Sequence, residues 1–118
     1  MRQMDYSEDI WNETVLRVSK HFSVTAEFDF MLFIVGIQEL GTGMTQYTRD
    51  EKWDIINLGK CRLLTNLGYL EQTGKDKEGW PEFEAIKNVK SLSPNLQKRL
   101  LKQAMIAYFD EVLEPVEQ

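Results

Sequence analysis

The chain is poor in the residues that build reactive or cross-linked sites. It has one cysteine, Cys61, and one histidine, His21, among 118 residues. A single cysteine forms no internal disulfide, and zinc needs several Cys or His ligands, so neither kind of staple is available. One histidine also excludes a two-histidine metal site and the paired Glu-x-x-His repeats of di-iron bundles. Long hydrophobic runs are missing too. The longest uncharged apolar stretch, 30–38, falls far short of the roughly 20 residues that a membrane-spanning helix needs. The opening residues, Met1 to Asp9, hold no apolar segment that reads as a secretory signal, and the expected location is the cytoplasm. Positive charge is in short supply: 14 Lys and Arg stand against 19 Asp and Glu, a net charge of −5. Duplex nucleic acid and anionic membranes both select for excess positive charge, so neither is the expected partner. No cofactor is expected. The glycines of Gly41-Thr-Gly43 lack the Gly-Lys-Ser/Thr of a phosphate loop, no Gly-x-Gly-x-x-Gly is present, and the pair reads as a helix stop and turn.

What is present suits one folded domain over residues 1–118, with 42% hydrophobic and 28% charged residues. The expected fold is mainly α, a compact four-helix domain around a buried second helix. The first helix, 7–22, takes Ser7 as its cap, acids in its first turn, and an apolar stripe of Trp11, Val15, Val18 and Phe22. The second, 26–40, has Ser23 or Thr25 as cap and Gly41 as stop. Its apolar residues cover nearly the whole circumference from Phe28 to Ile37, so it should be the hub. The third, 48–67, opens on the capping box Thr48-Arg-Asp-Glu51. Trp53, Ile56, Leu63, Leu64 and Leu67 should face inward, with Asp54, Asn57 and Arg62 outward. The fourth, 94–113, starts at Ser93-Pro94 and carries Leu96, Leu100, Leu101, Ala104, Met105, Tyr108 and Val112 on one face.

Residues 69–87 leave two readings open. One is a small β-hairpin around a glycine-bounded polar turn, its second strand held to an edge by Pro81; the other is an irregular loop packed down by Trp80 and Phe83. A helix followed by a hairpin also admits a winged-helix-like arrangement. Its recognition helix would open with Asp50, Glu51 and Asp54, which phosphates repel.

Residues that carry chemistry are scattered. Asp29 and Glu39 are the candidate buried polar groups of the second helix; a buried Asp29 carboxylate would resist ionising, whereas a thin solvent strip explains it without chemistry. Cys61 reads as a small core residue and His21 as a residue that complements a helix end. With no nucleophile and base placed together, the chain leans away from catalysis.

One charge pattern stands out. Residues 85–103 hold five basic residues, among them Lys98, Arg99 and Lys102, and no acid; residues 104–118 hold Asp110, Glu111, Glu114 and Glu117 and no base. Both halves oppose the helix dipole, and no opposite pair stands three or four apart to compensate. A second copy lying antiparallel would satisfy the split, as would another protein or acids of the first helix such as Glu8. The leading expectation is a cytoplasmic protein-interaction module that uses this helix and the segment with Trp80 and Phe83, with self-association as one form. A small-molecule-binding helical domain and a winged-helix nucleic-acid binder are the alternatives.

Overall fold

Residues 7–41 and 46–113 are described by the structure, a computed structural model. Helix α1 (Glu8–Phe22) begins where the sequence places it, with the Ser7 hydroxyl accepting from the Ile10 N–H at 3.1 Å. Ser23 then adopts the left-handed conformation, with φ of 57°, and closes α1 instead of opening the next helix. As a result α2 (Phe28–Leu40) starts two residues later than expected, with Glu27 as N-cap and no side-chain cap bond. The hub assignment holds: Met31, Leu32, Ile34, Val35, Gly36 and Ile37 are buried. Asp29 is exposed.

Helix α3 (Arg49–Asn66) opens on the capping box, both of whose hydrogen bonds form. It crosses α2 where Gly36 and Gly59 bring the two backbones into contact. Its buried residues are Ile55, Leu58, Gly59, Leu63 and Leu64. Trp53, expected inward, is instead 48% exposed. It lies two residues before Ile55, and a step of two on a helix turns nearly to the opposite side. Arg62 is corrected the other way, from solvent into a half-buried ion pair with Glu39.

The open question over residues 69–87 resolves as a hairpin. Strands β1 (Leu70–Lys75) and β2 (Pro81–Ala85) pair antiparallel, Gln72 opposite Phe83, with an irregularity between Gln72 and Gly74. In a two-stranded sheet both strands are edges, so Pro81 meets no conflict. Glu71 stands directly opposite Glu84, both exposed. Like charges so placed repel, and Glu84→Lys is expected to raise stability by roughly 0.2–1 kcal/mol, read as a higher denaturant midpoint with an unchanged slope. A lower midpoint would mean the two carboxylates do not face each other.

A short 3-10 turn, Val89–Ser91, precedes α4 (Pro94–Val112), whose N-cap Ser93 accepts from Leu96 N–H. Leu101, Ala104, Met105, Ile106 and Phe109 are buried, while Leu96 and Val112, expected on the apolar face, are 41% and 40% exposed. Both stand in terminal turns of the helix. One core joins side chains from all four helices, Trp11 and Val18 with Met31, Val35, Leu63, Met105 and Phe109. Among the described residues no helix is long and apolar enough to cross a membrane.

Candidate functional site

The hairpin folds back along α3 and stops short of closing on it. Its turn is built by Asp76, whose carboxylate accepts from the N–H groups of Glu78 and Trp80, each at 2.9 Å, while Asp76 N–H donates to the Trp80 carbonyl at 2.8 Å. Gly79 supplies the positive φ of 90° that the turn requires. Its base is held by Arg62, which donates to Glu39 Oε1 at 2.7 Å and to Gln72 Oε1 at 2.5 Å. The same guanidinium lies 5.5 Å from the centre of the Phe83 ring.

Between helix and hairpin runs a trench of about 590 Å3. The helix contributes Glu51, Asp54, Asn57, Leu58 and Cys61; the hairpin contributes Asp76, Glu78, Trp80, Pro81 and Phe83. From Glu51 to Cys61 is ten residues, about 15 Å at the helical rise. Trp80 is half-buried and also walls a neighbouring hollow of about 490 Å3, whose lining includes Leu40, Tyr47 and Ile55.

The trench is electrically one-sided. Among the described residues, four carboxylates line it and no lysine, arginine or histidine does. Glu51 and Asp76 each spend an oxygen on the backbone, at Thr48 and at the turn; among the described residues the carboxylates of Asp54 and Glu78 spend none. The four do not converge into a metal cage: among the described residues no cluster of three or more His, Cys, Asp or Glu could hold an ion. Burial pushes the Cys61 thiol up, with Lys60 pulling it partly back, so it stays protonated at neutral pH and is a slow nucleophile. Cys61 is thus half-buried trench lining, where the sequence suggested a core position.

Two charges of the split helix are met within the chain. Arg17 of α1 pairs with Asp110 at 2.7 Å, and Lys102 approaches Glu8 at 3.8 Å. The early residue of α1 meets the early half of α4 and the late residue the late half, so the two helices lie side by side in the same sense. Lys98 and Lys102 also sit over the rings of Phe28 and Trp11, at 5.0 and 5.2 Å. Arg99 and Glu111 are exposed, and Glu114 lies outside the described residues. Of the candidate interface residues, Trp80 and Phe83 come together in the trench, and Lys98, Arg99 and Lys102 line a separate, smaller hollow of about 230 Å3 with Glu8 and Asn95.

Glu39, the other candidate buried polar group, lies half-buried against Arg62 and near Tyr108. Burial first, and the negative Glu39 second, push the Tyr108 phenol up to about 12, with Arg62 pulling it back. The folded state therefore resists ionising Tyr108, and this contribution to stability is complete below the ordinary value of 10.0 and is lost as pH rises from there towards about 12. Tyr108→Phe should flatten the alkaline fall of the melting temperature over that window; an unaltered slope would contradict the assignment.

Sequence reasoning missed Asp54, Asn57, Asp76 and Glu78 as trench residues. The turn chemistry of Asp76 and Gly79 was the available signal, but which helix the hairpin would fold against was not. No family model, no curated protein and no solved structure matches this chain.

Proposed function

We propose that this chain is a protein-interaction module that receives its partner in the trench between α3 and the hairpin. The observation that carries the reading is the placement of Trp80, Pro81 and Phe83, held over α3 by the Asp76 turn and the Arg62 base without closing the space beneath. Aromatic side chains at a preformed concavity lose little freedom on binding and make strong anchors. Self-association through α4 loses its electrostatic motive once α1 supplies the complementary charges. The acidic lining also disfavours the winged-helix reading, because phosphates would meet Asp54 and Glu78. A cytoplasmic setting goes with the proposal, since a single unpaired cysteine suits a reducing compartment.

The test compares the full-length protein with Asn57→Arg, an exposed trench position whose long new side chain occupies the space without entering the core. A partner that co-purifies with the native protein should be bound at least about tenfold more weakly by the variant, a difference of about 1.4 kcal/mol. Far-ultraviolet dichroism and melting should stay unchanged. A partner held equally by both proteins docks elsewhere and overturns the reading.

A further inference from the structure

Taking the trench as the docking site, we infer that its occupant is an extended, positively charged segment of a partner protein, with an apolar side chain at one end and Lys or Arg at the other. The polarity comes from how the hairpin lies. Its turn, with Asp76 and Glu78, shares the lining with Glu51 and Asp54 of the first two turns of α3. Its base, with Phe83, lies against Arg62, next to Cys61. One end is therefore acidic and the other apolar, with Trp80 and Leu58 along the way. The α3 N-terminus places about half a positive charge at the acidic end, too little to cancel four carboxylates. Lys75 faces the adjoining hollow, not this one.

Charge complementarity selects the occupant. The side-chain carboxylates of Asp54 and Glu78 accept no hydrogen bond and form no ion pair among the described residues, whereas Arg17, Arg62 and Lys102 each meet a carboxylate. An incoming guanidinium or ammonium would find carboxylates and an aromatic ring, Trp80, in one lining, and both groups attract cations. A length of about 15 Å fits four or five residues of extended chain at about 3.3 Å each. That leaves room for one basic and one apolar side chain on the same side, two or four positions apart.

The experiment selects from a random heptapeptide display library on the immobilised full-length protein, then measures the recovered peptides against wild type and Asp54→Asn/Glu78→Gln. Both substituted residues are exposed, so the fold should survive, and dichroism checks it. The expected peptides contain Lys or Arg two or four positions from an apolar residue. Their affinity should fall about tenfold in the double variant and again on raising salt from about 50 to about 500 mM. Peptides that lack basic residues, compete with one another, are blocked by Asn57→Arg and ignore the double variant would overturn the cationic occupant and leave the interaction reading standing. Failure to recover any peptide blocked by Asn57→Arg would remove both.

Discussion

Alanine at Gly59 is expected to destabilise the protein by about 3 kcal/mol or more and to lower its melting temperature by about 10 °C or more. The sign runs against helix propensity, which favours Ala over Gly in a helix interior by up to about 1 kcal/mol. Geometry overrides it. A Cβ on Gly59 would overlap the Leu32 carbonyl oxygen, well inside the 3.0 Å that real Cβ atoms respect, and would stand 3.0 Å from the Gly36 N and 3.1 Å from the Leu32 carbonyl carbon. These are backbone atoms of α2, which cannot rotate aside as a side chain can. Gly36 is the reciprocal case: its added Cβ would overlap the Ile55 carbonyl oxygen and stand 2.7 Å from Ile55 Cγ2 and 2.9 Å from the carbonyl carbon. Either alanine must push α2 and α3 apart, opening the core around Leu32, Val35 and Leu63. Because one separation accommodates both methyl groups, the double variant should lose clearly less than the sum of the single losses. An unchanged or raised melting temperature for Gly59→Ala would show that the helices do not meet here.

Much of the fold was legible because its signals are local. Ser7, Thr48 with Glu51, Ser93 with Pro94, Gly41 and Gly68 mark helix ends through hydrogen bonds to groups a few residues away, and these assignments hold. Where two elements competed for one marker, locality failed: Ser23 reads equally as a start for α2 and as an end for α1, and the left-handed cap won. Trp53 failed for a related reason. An aromatic residue on a helix is inward by prior, but α3 spends its inward face on a glycine crossing that no hydrophobic count weights. The candidate site was half legible. Trp80 and Phe83 were named from composition, but the carboxylates opposite them come from α3, and nothing in spacing says which helix lies under the hairpin. The charge split of α4 was legible as an unsatisfied pattern, and Glu8 of the first helix was one of the partners it admitted; the Arg17–Asp110 pair, separated by 93 residues, has no local signal that names it.

Removing Arg62 is the second large effect expected, and it joins stability to docking. Its guanidinium holds three elements together: Glu39 of α2 at 2.7 Å, Gln72 of β1 at 2.5 Å, and the Phe83 ring of β2 at 5.5 Å. The pair is largely sheltered, with side-chain exposures of 19% and 22%, so Arg62→Met leaves a half-buried carboxylate without its counter-charge and should cost about 1–3 kcal/mol. Lysine should rescue only part of this, because one ammonium cannot serve Glu39 and Gln72 in a fork while stacking on Phe83. Adding Glu39→Leu to Arg62→Met should recover most of the loss, since the orphaned charge is then gone. Tyr108 reports the same network spectroscopically. Loss of Arg62 alone removes the positive charge that favours the phenolate and should drive the Tyr108 pKa higher still; loss of Glu39 as well should bring it back down. Tyrosinate absorbance followed through alkaline titration reads both directions. The rescued double variant then separates the two roles of Arg62. With stability restored but the hairpin base no longer pinned at Gln72 and Phe83, partner binding in the trench should stay weakened, whereas full recovery of binding would mean the hairpin holds its position without Arg62.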